Sequence, residues 1–202
     1  MTAVFVGGSR HVSRLPAPVR KRLDRITSES LRVVVGDANG VDKAVQKHLT
    51  DTAYRNVVVF CSGNTPRNNL GHWQTNAIPA TSARKDFQYF AVKDRAMAKA
   101  ADYALMVWDG KSVGTVLNIL RMVRASKIAV LYDIPSQEFI TFRNPRDWHG
   151  LLIKLSDDLM VKLRERASGE EWDPSRPTRQ PSFLEAPDWI TGGNDDRAAM
   201  AD

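Results

Sequence analysis

Three short stretches combine glycine, hydroxyl and charged residues in a way that suits an anionic ligand. They are Val6-Gly7-Gly8-Ser9-Arg10, Gly36-Asp37-Ala38-Asn39-Gly40-Val41-Asp42 and Trp108-Asp109-Gly110-Lys111-Ser112-Val113-Gly114-Thr115. Each follows a short apolar run, and each is followed by a helix-like pattern. Gly7 and Gly8 would let the backbone approach a ligand closely, with Ser9 and Arg10 supplying a hydroxyl and a fixed cationic fork for phosphate. Ser112 and Thr115 would donate hydroxyls, and Gly110 and Gly114 would bare amides at the start of a helix. Gly36 and Gly40 would set a tight turn that puts Asp37 near a ribose or a base, with Asp42 at the following helix start. Plainer readings stand beside these: an ordinary strand-to-helix turn with a solvent-facing Arg10, N-capping by Ser112, and a helix start merely charged or capped by Asp42.

The elements that position these stretches are read from hydrophobic periodicity. Apolar, β-branched runs at Thr2 to Val6, Leu31 to Val35, Val57 to Cys61, Tyr103 to Trp108 and Lys127 to Tyr132 predict five strands. Helices are expected over Pro16 to Ser28, Gly40 to Leu49, Asp86 to Ala100, Val113 to Ala125 and Asp157 to Ala167. The strands are continuously apolar rather than alternating, as in a parallel sheet covered on both faces. The fold class is therefore α/β, a Rossmann-like doubly wound parallel sheet, in which ligands bind beyond the carboxyl ends of the strands. All three stretches lie at such ends.

Between Ser62 and Lys85 the chain is rich in Gly, Pro, Asn and Thr, too much so for a regular element; it reads as a lid over a site or as a surface excursion. Residues 1–167 are expected to form one nucleotide-binding domain and residues 168–202 an extended acidic tail with a disordered end. Charge divides the same way. The chain carries 29 Lys+Arg against 23 Asp+Glu, with +11 on residues 1–167 and −5 on residues 168–202. A basic body suits a nucleotide, a nucleic acid or a phosphorylated metabolite.

Other chemistries are disfavoured. Of the 202 residues only Cys61 is a cysteine, so no intrachain disulfide or cysteine zinc cluster forms, and its place in VVVFC reads as core. The four histidines, His11, His48, His72 and His149, are dispersed and lack metal-ligand spacing; only His11, beside the first stretch, is kept as a ligand contact. Neither GxGxxG nor GxxxxGK[ST] occurs, which disfavours a kinase or a standard dehydrogenase. With a mean hydropathy of −0.35 and no apolar run of spanning length, no membrane association is expected. Met1 leads into TAVFV without a charged n-region, so a cytoplasmic location is expected.

Taken together, GGSR, GDANGVD and DRAMAKAADYALMVWDGKSVGT resemble the SLOG superfamily, and in particular its YspA-type branch of small bacterial and phage proteins, over about residues 2–132. The resemblance implies a Rossmann-like fold that binds nucleotides or nucleotide-derived ligands, and pairing of subunits into a homodimer. The superfamily includes Lonely Guy phosphoribohydrolases, DNA-processing proteins and sensor domains for NAD-derived signals. In the Lonely Guy enzymes a helix arginine and a PGGxGTxxE motif help hydrolyse an N-glycosidic bond. The arginine matches Arg95, and the GT matches Gly114-Thr115. Gly110, Lys111 and Ser112 stand at the PGG positions, and Asn118 stands where the glutamate would be.

Asn118 cannot serve as a carboxylate acid or base, which shifts the expectation toward binding or sensing of a nucleoside monophosphate, NAD or ADP-ribose type of ligand, with no cofactor required and no metal. In that reading Ser9, Arg10, Ser112, Gly114 and Thr115 hold phosphate, while Asp37 and Arg95 orient sugar or base. The enzymatic alternative is a nucleotide N-glycosidase with Asp94 or Asp109 as acid/base and Arg95 stabilising developing charge. Asp94 and Arg95 also have a plain reading as an exposed helix face. A nucleic-acid-binding module ranks third, since no aromatic-interleaved basic stripe is visible. Val116, Leu120 and Val123 offer an apolar helix face whose usual fate is the protomer's own core, and Trp172, Phe183 and Trp189 are candidate anchors for the tail.

Overall fold

The computed structural model describes residues 1–79, 85–172 and 188–191. Five strands lie where the apolar runs predict them: β1 (Ala3–Gly8), β2 (Arg32–Gly36), β3 (Val57–Ser62), β5 (Tyr103–Trp108) and β6 (Ile128–Asp133). Two more, β4 (Gln74–Ile78) and β7 (Glu138–Phe142), complete a seven-stranded sheet in the order β4-β3-β2-β1-β5-β6-β7. All neighbouring pairs are parallel except β6 with β7, which is antiparallel. The expectation that residues 62–85 hold no regular element is thus corrected by β4. Its sequence, QTNAI, is exposed at Gln74, Asn76 and Ala77 and half-buried at Thr75 and Ile78 because it is an edge strand with one neighbour, so it carries none of the apolar density that marks β1 or β5. Residues 80–84 lie outside the described residues.

Helices α1 (Ala17–Ser28) and α2 (Val41–Asp51) cover one face of the sheet, with Val19, Leu23, Ile26, Val45 and Leu49 packed on Val4, Val6, Val33 and Val35. Helices α3 (Phe87–Ala100), α4 (Val113–Arg124), α5 (Pro145–Leu152) and α6 (Asp157–Arg166) cover the other, around Phe5, Met106, Leu117, Phe142 and Leu163. The alternation of each strand's side chains between two faces explains why continuous apolar runs were needed. Val116, Leu120 and Val123 lie in this core, as expected of an amphipathic covering helix. Cys61 is buried, its thiol donating to the Gly63 carbonyl. Among the described residues no helix is long and apolar enough to cross a membrane.

The stretch from residue 168, read as extended, contains two helical turns, α7 (Gly169–Trp172) and α8 (Asp188–Thr191). Buried partners override the local composition. Glu171 accepts from Arg95 Nε at 2.8 Å, from Arg121 Nε at 2.7 Å and from the Ser168 amide at 2.8 Å. Trp189 is fully buried, edge-on to Tyr103 with ring centroids 5.8 Å apart, and Ile190 is buried beside it. The rest of the tail, including Phe183, lies outside the described residues.

The strand order places a switch point at β1. From β1 the chain steps outward through β2, β3 and β4, then crosses back over α3 to pair β5 with the opposite edge of β1. The loops after β1 and β5 therefore diverge, leaving a crevice between them.

Candidate functional site

A cavity of about 570 Å³ fills that crevice. Its floor is made by Gly7 and Gly8 at the end of β1 and by the Asp109 to Thr115 segment, and α3 and α6 supply its walls. The first and third glycine-containing stretches meet because Ser9 donates to Asp109 at 2.5 Å. Asp109 also accepts from the amides of Lys111 at 3.0 Å and Ser112 at 2.8 Å. These hydrogen bonds hold its carboxyl below the usual range against the opposing effect of burial.

Helix α4 begins directly below this loop without a side-chain cap, for Ser112 turns its hydroxyl to accept from Thr115 Oγ1 at 3.0 Å. Ser112 thus holds the N-cap position, as its plain reading has it, but without a capping hydrogen bond from its side chain. The amides of the first helical turn lack intrahelical acceptors, and the helix dipole adds partial positive charge at the same end. A Cβ built on Gly114 would meet nothing within 4 Å, so the approach is open. Arg10 and Lys111 line the cavity and form no salt bridge within 4 Å among the described residues, although Arg10 is near enough to Asp94 to help lower its pKa; Lys85, Lys162 and Arg166 likewise form no salt bridge at its rim. Six Lys/Arg against four Asp line the cavity, together with His11 and the rings of Phe5, Phe87 and Phe90.

The middle stretch contributes differently. Gly40 has φ +81°, and a side chain there would run into the Arg10 backbone, so the left-handed turn at Gly40 is what lets the β2 loop close on the β1 loop. The Val41 amide donates to the Ser9 carbonyl at 3.1 Å across that junction. Asp37 does not reach the large cavity. Arg67 takes both of its oxygens, with Nε at 2.9 Å and Nη2 at 2.7 Å, and Asn68 takes its carbonyl at 2.8 Å. Arg67 and Lys93 together hold the Asp37 carboxyl below its ordinary value despite burial.

Asp42 does face the cavity, and it belongs to a buried cluster centred on Lys93 of α3. Lys93 Nζ lies 2.8 Å from Asp94, 3.8 Å from Asp42 and 4.0 Å from Asp37. Gly36 makes room for it, because a Cβ there would overlap the Asp42 carboxylate and crowd the Lys93 ammonium. Asp94 is kept below its usual pKa mainly by Lys93, against desolvation, and Lys93 is raised by its three carboxylates. Asp42 goes the other way. Burial, with only partial relief from Lys93 and further repulsion from Asp94, pushes its pKa to about 6.

Of the residues picked out from the sequence, the cavity thus gathers Gly7, Gly8, Arg10, His11, Asp42, Asp94, Asp109, Ser112, Gly114 and Thr115. Ser9, Gly36, Gly40 and Gly110 shape its loops from behind. Arg95 points away, to Glu171 and to Gln88 Oε1 at 3.0 Å, so the expected contact from Arg95 to sugar or phosphate is replaced by an ion pair with α7. The reason is helical geometry: on α3 the face turned to the cavity is built around Phe87, Phe90, Asp94 and Met97, spaced three and four apart, with Ala91 and Lys93 beside them, and Arg95 falls off it. That stripe was readable in FQYFAVKDRAM. Lys93 was passed over because a lysine next to two charged residues reads as surface; nothing local announces its burial.

Chemically, the cavity can hold an anion at the start of α4 and an aromatic or sugar moiety against Phe87 and Phe90. Burial brings the Asp42 pKa to about 6, so that its carboxyl is protonated below that pH and largely ionised at pH 7, while Asp109 is tied up by its three donors. Among the described residues no group of His, Cys, Asp and Glu is arranged to hold a metal ion.

No family model matches the chain, and no curated protein matches it. Among solved structures the chain is similar to DNA processing protein A from Helicobacter pylori, a protein described for its single-stranded DNA binding mode, with a TM-score of 0.53 and 13% identity over 81% of this chain and 79% of that one. At this identity the likeness shows the Rossmann-like fold and nothing finer.

Proposed function

We propose that the protein binds or senses a phosphorylated nucleotide-type ligand in the switch-point cavity, as a SLOG-type protein of the YspA branch. One observation carries the reading. The uncapped first turn of α4, open at Gly114, lines the same cavity as Arg10 and Lys111, neither of which forms a salt bridge within 4 Å among the described residues. Free amides, a dipole end and cations outside any salt bridge form a phosphate-binding set. Phe87 and Phe90 offer the apolar and aromatic wall that a nucleoside needs, and Asp94 stands within the same cavity to accept from sugar hydroxyls.

The test is a thermal-shift series with nucleoside monophosphates, NAD and ADP-ribose, followed by chromatography for released base. Ligands that favour the folded state raise its midpoint. The expected outcome is a shift that is lost in Arg10→Ala and weakened in Thr115→Ala, without base release. Base release that disappears in Asp42→Asn would turn the reading to a nucleotide N-glycosidase.

A second reading, single-stranded DNA binding, is favoured by the similarity to DNA processing protein A and by Lys162 and Arg166 at the cavity rim. It predicts affinity for oligonucleotides that falls steeply with salt, since each neutralised phosphate releases counterions. A nucleotide site of the kind proposed predicts a shallow salt dependence.

A further inference from the structure

The floor of the large cavity holds a carboxyl that is nearly enclosed and only half used. Asp42 lines the cavity and is 6% exposed. Its Oδ2 accepts from the Ala38 amide at 3.2 Å and lies 3.8 Å from Lys93 Nζ, whereas its Oδ1 takes no hydrogen bond among the described residues. Oδ1 lies under Gly7, where a Cβ would come within 3.3 Å of it, and Gly7 is itself part of the cavity floor. A carboxylate oxygen enclosed without a donor is costly, and either a proton on it or a donor from a ligand relieves the cost.

The charges around Asp42 decide between the two. Asp37 faces it from the β2 loop, Arg67 from the loop after β3, and Lys93 and Asp94 from α3, while β1 contributes the uncharged Gly7. Arg10, on the loop after β1, bears on the adjoining Asp94. Fully ionised, the three carboxylates outnumber Lys93 and Arg67 and leave one net negative charge at the floor; a single proton balances them. Asp37 and Asp94 do not take it, since against the pull of burial Arg67 holds the one and Lys93 the other below its ordinary value. In a cavity of about 570 Å³ a bound phosphate and this floor are too close for salt to screen one from the other. A proton on Asp42 Oδ1 removes the repulsion and turns a bare acceptor into a hydrogen-bond donor toward the anion.

We infer that an anionic ligand binds this cavity together with a proton at Asp42, so that the site loads at acidic pH and releases its ligand as the pH rises. This rests on the phosphate reading of the cavity and adds the regulation of that site. In the free protein the Asp42 carboxyl titrates at about 6, and a bound anion raises that value. Affinity is therefore highest below pH 6, falls as the pH rises from the free to the bound value, and levels off above the latter.

The experiment is calorimetry of the full chain with ADP-ribose and NAD from about pH 5.5 to about pH 8.5. Their diphosphates hold a constant charge over this range, unlike a monophosphate, whose second ionisation falls at about pH 6. At least one of them is expected to bind about tenfold or more tightly at the acidic end, with uptake of about half a proton at pH 6.5, read from the dependence of the heat on the buffer's ionisation enthalpy. Asp42→Asn, of the same shape and permanently neutral, should keep the acidic-limit affinity at every pH and take up no proton. Histidine also changes charge in this range, and His11 lines the cavity, so His11→Gln is the control and should keep both the slope and the uptake. The proton count in wild type and His11→Gln stands whether or not Asp42→Asn folds. Affinity that is level across pH, release of protons on binding, a slope that survives Asp42→Asn or one that vanishes in His11→Gln overturns the coupling and leaves the phosphate site standing. Failure of ADP-ribose, NAD and AMP to bind at any pH overturns the phosphate reading, and the coupling with it.

Discussion

Ser9 and Asp109 stand 100 residues apart in the chain and share a hydrogen bond of 2.5 Å between the loops after β1 and β5. The same carboxylate receives two further amides, so the geometry of the α4 start depends on it. Asp109→Ala should cost about 2–3 kcal/mol in urea unfolding, and Ser9→Ala about half as much. Because hydrogen bonding lowers the folded pKa of Asp109 below its ordinary 3.8, its contribution is present above pH 3.8 and is lost as pH falls through the folded value. The Asp109→Ala protein should accordingly lose less stability than wild type on acidification below pH 3.8.

Asp42 has the opposite sign. Its folded pKa of about 6 lies above the ordinary 3.8, so the folded state holds the proton more tightly and stability falls as pH rises from 3.8 to about 6. Above that the full penalty of a buried charge is in place. Asp42→Asn should flatten the stability profile in this window, with little change below it, as read from unfolding midpoints at a series of pH values. By contrast Lys93→Met would leave three carboxylates facing one another and should cost about 3–5 kcal/mol.

Glu171 anchors the stretch after α6. Arg95 and Arg121 bring its carboxyl from 4.5 to about 2, so its stabilisation is full above pH 4.5 and is lost as pH falls toward 2. Glu171→Gln should lower stability by about 2 kcal/mol at neutral pH, and limited proteolysis should cut sooner after residue 167.

Gly114→Ala separates folding from binding. A methyl group there meets no neighbour, and alanine favours a helix by about 0.5–1 kcal/mol, so the thermal midpoint should hold or rise. The same methyl occupies the approach to the α4 amides. Affinity for nucleoside monophosphates should drop about tenfold or more by calorimetry.

Trp189→Ala should cost about 3–5 kcal/mol, because a fully buried ring against Tyr103 is removed. Trp189→Phe should be mild. The indole nitrogen has no hydrogen-bond partner among the described residues, and a phenyl ring keeps the edge-on contact.

The sheet's centre was legible because β1, β2, β3, β5 and β6 are buried on both faces and therefore continuously apolar. Its margins were not: EFITF in β7 and QTNAI in β4 each bury only part of their surface, so neither stands out from loop sequence. Helix α5 had a readable start, Asn144-Pro145-Arg146-Asp147, with a capping side chain, proline in the first turn and the reciprocal Asp147 bond, but the eight-residue helix is too short to show a period. The glycine-containing stretches were found by type, and the cavity lies among them. What sequence could not reveal was partnership over distance. Asp37 and Arg67 are 30 residues apart and Arg95 and Glu171 are 76 apart, and in both pairs a charge that reads as available for ligand is already satisfied.

The placement of β5 beside β1 also sets a schedule for the growing chain. Strand β1 emerges first and β2 can join it soon after, but the strand that covers its other edge is separated from it by about as many residues as lie between Ser9 and Asp109. At a synthesis rate of about 5–20 residues per second, the edge of Val4 to Gly8 waits roughly 5–20 s for its mate. During that interval a nascent chain offers an apolar strand edge to whatever is nearby, so holdase chaperones at the ribosome and the speed of translation through residues 9–102 become determinants of yield.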